Sequence, residues 1–130
     1  MPLIDDDADD CEFFEIALGQ TGIDYQLTII NNAIVAREQL EEGLIDPDFI
    51  FLDLNMPLVS GKELLGILRE YEDYQNTKII MYSTSSYYRD FDESKELGAD
   101  HFLTKTPNLD KLSVLLENVI SKGGNTFVVK

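Results

Sequence analysis
Short apolar runs alternate along this chain with longer stretches whose apolar residues recur at helical spacing. The clearest run is Phe49-Ile50-Phe51-Leu52, bounded by Pro47 and Pro57. It predicts a buried strand that ends on Asp53. Further strands are predicted at Leu3-Ile4 (with Pro2 at its start), Tyr25 to Ile30, Lys78 to Tyr82, and His101 to Leu103. Between them lie five helices. The first runs from about Ala8 to Leu18, with Cys11, Phe14 and Leu18 on one face. Asp7, Asp9 and Asp10 suit its start, where free backbone N–H groups favour negative charge. The second is capped by Asn31 or Asn32, reaches about Glu42 and stops at Gly43. The third, Gly61 to Tyr71, carries Leu64, Leu65, Leu68 and Tyr71 as its stripe. The fourth, Tyr88 to Leu97, has the thinnest apolar anchoring, chiefly Phe91 and Leu97. The fifth starts near Asn108 and presents Leu109, Leu112, Leu116 and Val119.

Five β-α pairs in strict alternation imply an α/β fold: a parallel sheet with helices on both faces. One domain of residues 1–122 accounts for them. In the tail, 123–130, Gly123-Gly124-Asn125 is a break before the β-prone Thr126-Phe127-Val128-Val129. The reading favours a disordered tail over one paired with a sheet edge.

The formal net charge is −15. Phosphate backbones and anionic membranes need basic patches, so direct binding to nucleic acid or membrane is disfavoured and cations or basic partners are favoured. The apolar stretches are too short to span a bilayer, and no export signal opens the chain. Cys11 stands alone, so no internal disulfide forms, and a cytoplasmic setting is expected.

In an open parallel sheet the site forms beyond the carboxyl ends of the strands. Those ends deliver Asp5 and Asp6, Asp53, Ser83 and Thr84, and Thr104 and Lys105. Three neighbouring carboxylates repel one another unless a cation joins them. Mg²⁺ suits oxygen ligands and leaves positions for phosphate. Lys105 adds a positive charge and Ser83 a hydrogen-bond donor. Together these are the parts for phosphoryl transfer to a carboxylate.

The segments Leu3-Ile4-Asp5-Asp6-Asp7, Asp53-Leu54-Asn55-Met56-Pro57 with Gly61, Ile79-Ile80-Met81-Tyr82-Ser83-Thr84, and Leu97-Gly98-Ala99 leading to Phe102-Leu103-Thr104-Lys105 occur in order. In these the chain resembles the receiver domain of two-component response regulators, of the single-domain, chemotaxis-regulator-like kind. The resemblance implies a flavodoxin-like (βα)5 doubly wound sheet in the order 2-1-3-4-5. It implies that Asp53 accepts a phosphoryl group from a phosphohistidine on a sensor histidine kinase or histidine phosphotransfer protein. Asp6, Asp5, Asp53 and the backbone carbonyl of Asn55 would hold Mg²⁺. Ser83, Thr84 and Lys105 would bind the phosphoryl oxygens, and Ser83 and Phe102 would form the switch. Asn55 and Ser85 fall where side chains tune acyl-phosphate lifetime. Output is expected through helix four, strand five and helix five, toward a protein target or a second copy of the chain.

Three departures from the family pattern stand out. The first strand is short and holds Pro2, which has no N–H. Thr106 stands where proline usually follows the lysine, with Pro107 one place later. Phe102 replaces the commoner tyrosine and so lacks its hydroxyl. Blander readings hold elsewhere: Asp7, Asp9 and Asp10 as a solvated, helix-capping run; His101 as a rim residue; Phe13, Phe14, Tyr87 and Tyr88 as core and flank; Cys11 as helix packing.

Three other functions compete. A Mg²⁺-dependent aspartyl-phosphate phosphatase needs a general acid two residues after its nucleophile, where this chain has Asn55. A flavin-phosphate carrier needs a Gly/Ser/Thr-rich loop after strand one, where Asp5 to Asp10 run instead. A pseudo-receiver that only binds partners would not need the complete set of acceptor, carboxylates, hydroxyl and lysine.

Overall fold
The computed structural model describes residues 1–43, 47–121, 123 and 126–130. Six parallel strands form one sheet in the order β2-β1-β3-β4-β5-β6. They are β1 (Pro2–Ile4), β2 (Thr28–Ile30), β3 (Phe49–Asp53), β4 (Lys78–Ser83), β5 (His101–Thr104) and β6 (Val128–Val129). The helices are α1 (Ala8–Gln20), α2 (Ala33–Glu41), α3 (Gly61–Glu70), α4 (Tyr88–Glu96) and α5 (Leu109–Ser121), with a short 3-10 turn at Glu72–Tyr74.

Alternation along the strands builds two cores. Ile4, Ile50, Leu52, Ile79, Met81 and Phe102 face the side packed by Ala36, Leu40, Leu64, Leu65 and Leu68. Leu3, Phe51, Ile80, Tyr82 and Leu103 face the side packed by Phe14, Ala17, Leu112, Leu116 and Val119. Near-continuous apolar strands are what a sheet buried on both faces requires. The caps follow local chemistry. Asp7 Oδ1 accepts from the N–H groups of Asp9 and Asp10 at 2.9 and 3.1 Å. Asn32, the second of the two expected caps, accepts from Ile34 and Val35 at 2.8 and 3.2 Å.

Pro2 is harmless in β1 because its register partner is Thr28 on β2, whereas pairing with β3 begins only at Leu3↔Phe51. The missing N–H falls outside the central ladder. β2 is shorter than expected: Tyr25 leaves the sheet edge and meets Phe49 edge-on, ring centroids 6.2 Å apart.

The tail corrects the expectation of disorder for its last residues. Phe102↔Val128 and Leu103↔Val129 pair in parallel, and the Phe102 N–H donates to the Phe127 carbonyl at 2.8 Å. Val129 joins the α1/α5 core, and Phe127 and Val128 pack on the other. His101 is no idle rim residue: its Nδ1 lies 2.8 Å from the Thr126 carbonyl and its Nε2 3.0 Å from that of Gly123. The break expected at Gly124-Asn125 lies outside the described residues. Replacing Val129 with Asp should undock β6 at a cost of about 1.5 kcal/mol. Amide exchange at Phe102 should then quicken well beyond that at Leu3, and equal protection in both proteins would refute the docking.

α4 is held by charge more than by apolar contact, in keeping with its thin stripe. Ser94 is its one fully buried residue. Lys62 Nζ at the start of α3 reaches Asp90 at 2.7 Å and Glu93 at 2.6 Å. Of the two aromatic pairs expected as core and flank, Phe14 is fully buried, Phe13 lies beside the α1/α5 core, and Tyr87 and Tyr88 are exposed.

Candidate functional site
The carboxyl ends of β1, β3, β4 and β5 bring the expected residues together. Asp5 follows β1 and is fully buried, Asp53 closes β3 and is 6% exposed, and Asp6 faces solvent. One carboxylate oxygen from each of the three lies within 4.8 Å of the others. Lys105, just past β5, is placed by its own N–H, which donates to the Ser83 carbonyl at 2.8 Å. Its ammonium reaches Asp10 at 2.7 Å, Asp5 at 3.0 Å and Asp53 at 3.3 Å. The Tyr82 ring lies beneath it, 4.9 Å from the centroid. Every peptide bond among the described residues is trans, Lys105-Thr106 included.

A sharp loop returns the chain from β3 to α3. The Val59 N–H donates to the Pro57 carbonyl at 2.9 Å around Leu58, whose φ is 73°. This is a γ-turn of the strained, positive-φ kind. The Gly61 N–H then donates to the Leu54 carbonyl at 2.9 Å and seats α3 directly on the strand end. Asn55 sits exposed on that loop.

The electrostatics follow from one cation among four carboxylates. Burial raises the Asp53 pKa to about 6; Lys105 opposes the shift and Asp5 reinforces it. Asp5 is raised too, again by burial first, against its hydrogen bond from the Asp7 N–H and the charge of Lys105. Burial works against the charge on Lys105, but the hydrogen bond to Asp10 and the charges of Asp53 and Asp5 outweigh it, so its pKa rises. The carboxylates share one ammonium, which explains why the lysine gains while two of its partners remain destabilised as anions. Cys11, as expected, is packing: its thiol is buried and pushed up to about 11, first by desolvation and then by Asp5.

This donor set fits a hard divalent cation. Three carboxylates from two strand ends offer oxygen ligands alone, and their repulsion is what such an ion relieves.

The remaining expected residues range from buried to exposed. Ser83 is buried, and its hydroxyl accepts from the Ser85 N–H at 3.1 Å. Thr84 is exposed. Ser85 donates a short hydrogen bond to Asp90, tying the β4–α4 loop to α4. Phe102 is fully buried, edge-on to Phe91 with centroids 4.7 Å apart. Thr104 does not reach the carboxylates: its hydroxyl is buried with no hydrogen-bond partner.

Asp10 is the site residue that the sequence reading missed by assigning it to a solvated run. It makes the shortest contact to Lys105. One signal was present: Asp10 lies four residues before the fully buried Phe14, so the two share one face of α1.

Comparison with known proteins agrees with this geometry. Residues 2–117 match the model of the response regulator receiver domain. Response regulator Rcp1 of Synechocystis sp. is 28% identical over 124 residues, covering 92% of this chain and 84% of Rcp1. Response regulator Rre1 of the same organism is 27% identical over 120 residues, but this chain spans only 51% of it. The crystal structure of Rcp1 in its Mn²⁺-bound form superposes with a TM-score of 0.81 at 27% identity, covering 99% of this chain and 96% of that one. The chemotaxis response regulator CheY4 of Vibrio cholerae superposes with a TM-score of 0.75 at 27% identity, covering 92% and 96%. With the parallel sheet, the clustered carboxylates and the matched length in agreement, the chain belongs to the response regulator receiver domain family.

Proposed function
We propose that Asp53 is the phosphoacceptor of a stand-alone response regulator, taking its phosphoryl group from the phosphohistidine of a sensor kinase or a histidine phosphotransfer protein. One observation carries the reading: Asp53 is a buried carboxylate held beside both a shared ammonium and two further carboxylates. An Asp53 oxygen forms the new P–O bond while the P–N bond breaks, and the donor imidazole keeps the electron pair. Lys105, Ser83 and Thr84 receive the phosphoryl oxygens. Asp5, Asp6, Asp53 and the Asn55 carbonyl would hold Mg²⁺, which supplies charge neutralisation at the phosphoryl group when bound. That Rcp1 has a Mn²⁺-bound form supports a divalent ion for this chain.

The output is a change of surface, not turnover of a substrate. Ser83 and Ser85 are linked through a hydrogen bond, and Ser85 is linked to Asp90 of α4. Drawing Ser83 toward a phosphoryl group pulls on that connection and shifts α4, with Phe102 repacking beneath it. Asn55 and Ser85 tune the lifetime of the acyl phosphate. The α4–β5–α5 face contacts the downstream target or a second copy. The receiver unit is residues 1–122 with β6 docked on its sheet edge, the setting is cytoplasmic, and no helix among the described residues is long and apolar enough to cross a membrane. The phosphatase reading lacks its acid at Asn55, and no observation favours it.

Incubation with Mg²⁺ and a small phosphodonor should add one phosphoryl group to the wild type by intact mass and none to Asp53→Asn. Equal labelling of both proteins would refute the assignment.

A further inference from the structure
We infer that Asp10 is a positioning residue that restrains Lys105 on the α1 side of the site and so slows phosphorylation of Asp53. The inference rests on the reading of Asp53 and Lys105 given above. A lysine ammonium has three N–H donors. Here three carboxylates from three elements take them: Asp10 of α1 at 2.7 Å, Asp5 after β1 at 3.0 Å and Asp53 of β3 at 3.3 Å. The ammonium therefore lies closest to Asp10 and farthest from the nucleophile. A phosphoryl group arriving on Asp53 brings further negative charge and acceptor oxygens. Lys105 can serve them fully only by giving up part of its bond to Asp10.

The position of Asp10 is built, not incidental. Its N–H is held by the Asp7 cap at 3.1 Å, which seats the first turn of α1 against Lys105. Asp9, its neighbour, carries the same charge and is exposed. Among the described residues Asp9 makes no ion pair with Lys105, whereas Asp10 does. The two aspartates thus separate a specific bond from general repulsion of an anionic donor. Loss of the Asp10 carboxylate leaves Lys105 still placed by Asp5, by Asp53 and by the Tyr82 ring. The freed donor turns to the phosphoryl group.

The test measures phosphorylation of the full chain by phosphoramidate with Mg²⁺, across donor concentrations, by intact mass. Asp10→Asn should raise the limiting rate about threefold, the size of a partly exposed ion pair. Asp9→Asn should leave the limiting rate unchanged, and Asp10→Glu should return it toward wild type. The Asp10→Asn gain should vanish when Lys105→Met is the background, because the restraint acts through that ammonium. A change confined to the donor's KM and shared by Asp9→Asn, a slower limiting rate in Asp10→Asn, or a gain that survives Lys105→Met would each overturn the inference. No Asp53-dependent labelling of wild type would instead overturn the phosphoacceptor reading, and this inference with it. Melting curves of Asp10→Asn guard the comparison. If that variant is unfolded, Asp10→Ser takes its place with the same expectations.

Discussion

Asp53→Asn is expected to make the metal-free protein more stable at pH 7.5, by about 3 kcal/mol, while abolishing phosphorylation. Burial lifts the pKa of Asp53 to about 6 from an ordinary value of 3.8. Between those values the folded state holds a proton that the unfolded state has released. Stability therefore falls as pH rises from about 4 to about 6 and levels off above. The full gap corresponds to about 3 kcal/mol, with the opposing charge and hydrogen bond of Lys105 already counted in it. Asn carries no charge at any of these pH values, so its advantage should shrink toward zero as pH falls to about 4. Asp5 is raised in the same direction and adds to the slope in both proteins. Chemical denaturation in chelator at pH 4, 5, 6 and 7.5 checks this. A wild type more stable than the variant at pH 7.5 would mean that Lys105 more than compensates the burial.

Mg²⁺ should reverse the order. An ion that binds only the folded state stabilises it by about 4.1 kcal/mol at about a thousand times its Kd, and Asp53 is one of the three carboxylates that would hold it. The gain should be large in wild type, small in Asp53→Asn, and weaker as pH drops through about 6, where the proton competes for Asp53. The expensive buried charge is thus an apo-state cost that ligand binding offsets.

Much of this was legible from residue order. Five apolar runs and five helical periods imply the parallel sheet, and the strand-end rule names Asp5, Asp6, Asp53, Ser83 and Lys105 from residue order alone. The tail was harder. Val128-Val129 is a two-residue strand whose docking depends on the β5 edge and on His101, which lies 22 residues before Gly123 and 25 before Thr126. No local pattern reports such a contact. Asp10 was misread for a related reason: an acidic residue in a helical first turn has a sufficient local explanation, and its ion pair spans 95 positions. Thr104 erred the other way, since a strand-end position does not decide which way a side chain turns.

Gly61→Ala should be the most damaging single-methyl change near the site. A Cβ at Gly61 would stand 2.1 Å from the Asp53 carbonyl oxygen and 2.8 Å from the Leu54 Cα. Both are backbone atoms, so no flexible side chain can yield. Either the strand end carrying the nucleophile moves, or α3 lifts off it and breaks the Gly61 N–H bond to the Leu54 carbonyl. The expected cost is about 3 kcal/mol, the upper end for overpacking, together with slower phosphorylation by a small donor because Asp53 is displaced from Lys105. Gly66→Ala in the same helix supplies the contrast. Its Cβ would meet only Leu97 Cδ2 at 3.7 Å, an ordinary contact, and alanine is favoured over glycine inside a helix by about 1 kcal/mol. Gly66→Ala should therefore melt higher than wild type and label at the wild-type rate, while Gly61→Ala melts lower and labels slowly. Glycine at 61 is then required by the close approach of α3 to the strand end, and equal melting of the two variants would show that the loop at Leu58 absorbs the strain instead.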